Sequence, residues 1–321
     1  MSNKLILTLF VFFFYFPQFY AKEQEKIIGG EDPEDILRYQ QYVNEQNYHV
    51  PFKTRISEPF REYQTVHAVG KIKSDPRRVD LNFYKGGNED DDMPLHLSVR
   101  FDEGLFKGKI VFNTFVNKNW SEPEERVDSP YKPDEEFDIR VRILPGKFQV
   151  FGNRIELGTF EQRIPLYGVN HVALLGDLKS LRVFHYGGTK FPNPYNAIAK
   201  LLPGMRLDIS AMPLGNRVNF NLYKANNDIA LHISIRYSEG IIVRNSLMSR
   251  QWGDQEIEGN LPLAKNEIFD LTIIHEPADF LILFNGKKFC TFRHRSQNLD
   301  IETLEVDGMF ELHTVTINNA R

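Results

Sequence analysis

Two short stretches of this 321-residue chain carry the same hydrogen-bonding side chains at the same spacing. In the first, His96, Ser98 and Arg100 alternate with Leu95, Leu97, Val99 and Phe101; in the second, His232, Ser234 and Arg236 alternate with Leu231, Ile233, Ile235 and Tyr237. Each set is followed by an asparagine, Asn113 or Asn245, and seven positions later by the one tryptophan of its half, Trp120 or Trp252. Arginine offers a planar fork of N–H donors, histidine a ring nitrogen, and asparagine both a donor and an acceptor. An indole adds a flat apolar plate. Together they suit a pyranose with one continuous C–H face and one polar edge, the arrangement that an axial hydroxyl creates in galactose. A solvated outer sheet face would account for one such row equally well. Its recurrence with the same residue types, each time closed by Asn and Trp, is harder to attribute to solubility.

Alternation over seven residues predicts a half-buried strand at each place, because successive strand side chains point to opposite faces. Leaving the His, Ser, Arg row unpaired in a core would cost too much, so that row faces water or a polar ligand. Residues 78–85 (RVDLNFYK) return as 217–224 (RVNFNLYK), and residues 160–163 match 292–295, always in the same order. The offset between copies is 132 to 139 residues, which marks an internal duplication. Short β-rich runs punctuated by Gly and Pro, without long amphipathic helices, predict an all-β chain of two antiparallel β-sandwich domains in tandem. The expected organisation is a polar extension at 22–47 and domains at 48–188 and 189–321. Residues 187–195 (GGTKFPNPY) form a breaker-rich junction too short for free reorientation.

The remaining signals narrow the function by exclusion. A formal charge of −4 with scattered Lys and Arg argues against nucleic acid as a partner. Nine histidines without paired ligand spacing, and an acidic run at 89–92 that lacks the spaced oxygens of a calcium loop, imply neither metal nor other cofactor. No pair of carboxylates stands out with the separation a glycosidase needs, so no catalytic residue is assigned. Lys4, the apolar run at 5–16 and small Ala21 read as a secretory signal peptide over residues 1–21. That run is shorter than the ~20 residues of a stable membrane span. The expected location is extracellular, or cytoplasmic if the leader does not function. Cys290 is the single cysteine, so no intrachain disulfide can form.

These motifs resemble the galectin family, whose sugar site reads His-x-Asn-x-Arg on one strand, Val-x-Asn on the next, then Trp-Gly-x-Glu-x-Arg. The resemblance covers roughly residues 48 to 321 and implies jelly-roll, concanavalin-like sandwiches that bind β-galactosides of glycoproteins or glycolipids without metal. It matches His96, Arg100, Asn113, Trp120, Glu124 and Arg126 in the first domain, with Ser98 where the family has Asn. One extra residue in WSEPEER leaves Glu124 and Glu125 both open as the acidic partner. In the second domain His232, Arg236, Asn245 and Trp252 match, Ser234 again replaces Asn, and Gln255 and Ile257 stand at the Glu and Arg positions. The implied roles are a grip on the galactose edge by His, Ser and the strand Arg, and contact of Asn with the exocyclic hydroxyl. Trp would stack on the ring, while Glu and the last Arg would reach the next sugar. Two domains imply bridging of glycans. The alternative is a galectin-fold interaction scaffold with weakened or lost sugar binding, which the two Asn-to-Ser departures make credible.

Overall fold

The structure is a computed structural model that describes residues 39–103 and 108–320. The predicted signal peptide and the extension before Tyr39 lie outside the described residues. Every regular element described is a strand. The first half contributes β1 (Phe52–Arg55), β2 (Thr65–Ile72), β3 (Arg78–Tyr84), β4 (Met93–Arg100), β5 (Lys109–Val116), β6 (Asn119–Trp120), β7 (Glu125–Asp128), β8 (Glu136–Leu144), β9 (Lys147–Gly152), β10 (Ile155–Glu161), β11 (His171–Gly176) and β12 (Leu178–Gly187). The second half contributes β13 (Tyr195–Leu201), β14 (Met205–Tyr223), β15 (Ile229–Arg236), β16 (Ile241–Met248), β17 (Gln251–Trp252), β18 (Phe269–His275), β19 (Asp279–Phe284), β20 (Lys287–Arg293) and β21 (Ile301–Asn319). No described helix is long and apolar enough to cross a membrane.

The two halves are antiparallel sandwiches, as the alternation predicts. In the first, an outer sheet runs β1-β11-β3-β4-β5-β6 with β7 also on β5, and an inner sheet runs β10-β9-β8-β2-β12. Leu95, Leu97 and Val99 of β4 turn inward against Val66 and Ala68 of β2 and Ile139 and Val141 of β8, all at most 1% exposed. Truncating one such Leu to Ala would cost about 2–5 kcal/mol. The second half repeats this arrangement with a difference in continuity. β14 and β21 each run through 19 residues and pair with each other across both sheets; β14 also pairs with β18 at one end and β15 at the other, and β21 with β13. The corresponding path in the first half is two separate strands, β2 and β3, with residues 73–77 between them. Where the chain bends between sheets, Gly176 has φ 90° and Gly308 φ 112°. A Cβ would meet the carbonyl oxygen of Arg78 at 2.2 Å or of Arg217 at 2.3 Å, so only glycine fits either corner.

The inner sheets of the two domains face each other across a charged seam. On β8, Phe137, Ile139 and Val141 fill the core while Asp138, Arg140 and Arg142 project from the opposite face. Arg140 donates to both carboxylate oxygens of Asp270 on β18, at 2.8 and 2.7 Å, and to Ser210 on β14 at 2.8 Å. Arg142 lies 2.9 Å from Glu311 of β21. Burial works against charge on Asp138 and Asp270, but Arg140 outweighs it and holds both carboxyls below the usual range. Phe151, Met212 and Ile268 add an apolar contact across the seam. The described end of the polar extension straps it: Tyr42 accepts from Arg154 at 2.8 Å and donates to Asp270, Gln40 accepts from Arg206, and Glu45 pairs with Arg182. β12 ends at Gly187 and β13 begins at Tyr195, so the junction is a short loop beside this seam.

Candidate functional site

Both predicted rows lie on the outer face of an outer sheet, directed away from the seam. In the first domain β4 sits between β3 and β5, which places Asn82, His96 and Asn113 abreast, then Asp80, Ser98 and Val111, then Arg78, Arg100 and Lys109. Trp120 stands opposite Phe115 on the far side of β5. Its ring packs 5.0 Å from Phe115 and 4.7 Å from His96 between centroids, yet the residue stays 46% exposed. One edge is anchored and the rest is free to stack. Trp252 repeats this at 5.0 Å from His232 with 54% exposed.

The hydrogen bonds of His96 fix its protonation. Nδ1 lies 2.6 Å from Asn82 Oδ1 and Nε2 lies 3.0 Å from Arg78 Nη2. A guanidinium can only donate, so Nε2 accepts and the ring proton sits on Nδ1. Burial is the main reason the imidazole is pushed down to about 4, with the Asp80 charge opposing it. His232 is oriented likewise by Asn221 at 2.6 Å and pushed down to about 4 by burial. Here Arg217 turns instead toward Glu239 at 3.6 Å, and Nε2 has no protein partner among the described residues.

Arg100 belongs to a ring of alternating charges. Its Nη1 donates to Glu103 at 2.8 Å and its Nη2 lies 3.9 Å from Glu124. Arg126 donates to Glu124 at 2.7 Å and also pairs with Glu103. Hydrogen bonding from Arg100 is the first cause holding the Glu103 carboxyl below its ordinary range. Of the two acids left open by the sequence, Glu124 faces the row. Glu125 accepts instead from Arg163 at 3.2 Å, as Glu256 accepts from Arg295 at 3.0 Å. That correspondence aligns Gln255 with Glu124 and Ile257 with Arg126, so the second domain lacks the outer pair. Arg236 keeps Glu239 as its acidic partner, at 3.1 Å, and donates to the Ser234 hydroxyl at 3.4 Å.

Ser98 and Ser234 sit differently from the other row members. Each is 0% exposed at the floor of its row, so a ligand reaches either hydroxyl only if a neighbour turns aside. Asn113 is oriented by Arg163, whose Nη1 lies 3.4 Å from Oδ1, and Asn245 by Arg295 at 3.0 Å. Each arginine is seated over a phenylalanine three residues earlier, Phe160 at 4.8 Å and Phe292 at 4.6 Å. These supporting residues, with Arg78, Asn82, Asn221 and Glu103, carried no site role in the sequence reading. For those within 78–85 and 160–163 the signal was the recurrence of these segments, the first read only as strand and the second only as part of the repeat. No group of three or more potential metal ligands gathers among the described residues.

The sequence profile of the galactoside-binding lectins matches residues 51–186 and 194–317. A 32 kDa beta-galactoside-binding lectin of Haemonchus contortus is 36% identical over 281 residues, covering 85% of this chain and 96% of its own. One of the same description from Caenorhabditis elegans is 36% identical over 282 residues, covering 84% and 97%. Galectin-4 of Sus scrofa is 27% identical over 311 residues, covering 84% and 95%.

Proposed function

The chain belongs to the galactoside-binding lectin family, and from that premise we propose that each of its two domains binds a β-galactoside without metal and without catalysis. The supporting observation is the pair of outward rows, each ending in an exposed tryptophan at stacking distance from a neutral histidine. A galactose laid on Trp120 would offer its axial hydroxyl to His96 Nε2, displacing Arg78, while Arg100 and the Nδ2 of Asn113 donate to its edge. Glu124 and Arg126 hold Arg100 and meet the next sugar. His232, Arg236, Asn245 and Trp252 do the same in the second domain, with Gln255 alone at the outer position. Ser98 and Ser234 set the depth of the floor. Two such sites make the protein a bridge between galactose-bearing glycoproteins or glycolipids, and the leader directs it outside the cell.

Retention on lactose-agarose tests this. The protein is expected to bind in EDTA and to elute with free lactose. Retention that needs calcium, or that persists when both Trp120 and Trp252 are alanine, would overturn the assignment. The burial of both serines favours a second reading, a scaffold whose sugar affinity has been lost. Passage through the column without delay would support it.

A further inference from the structure

Beyond each histidine, on the side away from Trp, the outer face continues across three more strands, and there the two domains differ in charge. The proposed contacts occupy β4 to β7 in the first domain and β15 to the segment after β17 in the second. A galactose held there with its second sugar toward Glu124 or Gln255 turns its far edge onto the continuation. In the first domain the rows read His96, Asn82, Ala173, Lys53 and Ser98, Asp80, Leu175. Asp80 is paired with Arg78 at 2.7 Å. The corresponding rows of the second domain read His232, Asn221, Glu305, Asn196 and Ser234, Asn219, Asp307.

Glu305 accepts from Asn221 Nδ2 at 2.8 Å and from the Tyr223 hydroxyl at 3.1 Å, and Asp307 accepts from Asn219 Nδ2 at 2.6 Å. All three donors are neutral. Neither carboxylate forms a salt bridge among the described residues, so two negative charges without an ion-pair partner lie beside the second histidine, where the first domain has Ala and Leu; the neighbouring Arg217 and Arg236 turn to Glu239 instead. Hydroxyls can donate to these oxygens, whereas a sulfate or carboxylate brought over them meets like charge.

We propose that Glu305 and Asp307 determine glycan specificity, confining the second site to uncharged galactosides while the first also accepts acidic ones. This rests on the galactoside assignment above. The probes are lactose and lactose sulfated on the galactose 3-hydroxyl, which neighbours the axial hydroxyl on the edge away from the linkage to glucose. Both are titrated calorimetrically into the full chain, with Trp120→Ala silencing the first site or Trp252→Ala the second. With only the second site active, the sulfated sugar is expected to bind at least about tenfold more weakly than lactose, and the gap should narrow in 0.5 M salt as screening shortens to a few Å. Adding Glu305→Gln and Asp307→Asn should bring the two sugars within about threefold. With only the first site active they should already agree to that extent. Equal binding at the unaltered second site, or a penalty that survives the double substitution, would overturn the inference. Failure of lactose itself to bind the unaltered chain would overturn the galactoside assignment and this inference with it.

Discussion

Replacing Arg140 with methionine measures what the seam contributes to stability. All five of its N–H donors are used: two on Asp138 at 2.9 and 2.7 Å, two on Asp270 at 2.8 and 2.7 Å, and one on Ser210 at 2.8 Å. The residue is 2% exposed, so solvent cannot replace what it supplies. Arg140→Met keeps much of the volume but leaves two buried carboxylates without the cation that keeps them ionised. Breaking a buried pair from one side costs about 3–5 kcal/mol. Arg154 and Tyr42 still reach Asp270, and His67 still reaches Asp138, which places the expected loss near 3 kcal/mol at the low end of that range. For a cooperative unit of both domains that corresponds to a melting point lower by roughly 5–10 °C. Calorimetry should show one cooperative transition for the unaltered protein and an earlier, split transition for the variant as the domains unfold separately. Lactose affinity should not change, because both rows lie on the other sheets. A single transition within about 2 °C of the original would refute the claim that this cluster couples the domains.

Acid should weaken the same seam. Burial lowers the pKa values of His67, His185 and His313, to about 3 for His185, whereas in the unfolded chain each protonates near 6.5. Between those limits the unfolded state binds more protons, so stability present above pH 6.5 is lost as pH falls, by up to about 1.4 kcal/mol per pH unit for each histidine. Denaturant midpoints that stay flat from pH 7 to pH 4 would contradict this. Lactose binding should hold from pH 7 toward 5 and be half lost near 4, where His96 and His232 protonate, so a midpoint near 6.5 would show imidazoles that are not buried as described. The first site, which alone has the outer Glu124 and Arg126, is expected to bind lactose about tenfold more tightly than the second. Calorimetry on the full chain with Trp252→Ala or Trp120→Ala gives the ranking, and Gln255→Glu with Ile257→Arg should narrow it. A tighter second site would mean that Arg78 on His96 obstructs more than the outer pair helps. Finally, the sequon Asn119-Trp120-Ser121 places a glycosylation acceptor beside the stacking ring. Intact mass of protein from its source should show a removed leader and a bare Asn119; an intact Met1 would refute secretion through that leader, and a glycan on Asn119 would undercut the first site.

The strands were legible because alternation in β4 and β15 is uninterrupted, and the His, Arg, Asn and Trp of the two outward rows stood out because they recur. The acidic partner was not, since WSEPEER offers two adjacent glutamates and only Arg163, arriving from β10's far end, claims Glu125 and leaves Glu124 to the row. Ser98 had the right type and spacing for a contact, but depth beneath taller neighbours is a property of three strands together. The seam was hidden for a related reason. Asp138, Arg140 and Arg142 alternate with core residues just as His96, Ser98 and Arg100 do, so a local reading gives both rows to solvent. What distinguishes them is the cover, and Asp270 and Glu311 stand far along the chain. The charge contrast at Glu305 and Asp307 escaped similarly, because β21 closes the outer sheet from the end of the sequence.

Because the inner sheets meet at a buried, ion-paired seam, the two tryptophans belong to the opposite ends of a four-layer stack. Packed sheets lie about 10 Å apart, so the outermost ones are held roughly 30 Å from each other. A flexible tether would let both sites land on neighbouring sugars of a single surface. With both proposed sites occupied, this architecture would instead work as a gauge block, whose thickness sets the gap between two opposed surfaces and whose poor fit to one surface discourages it from folding back.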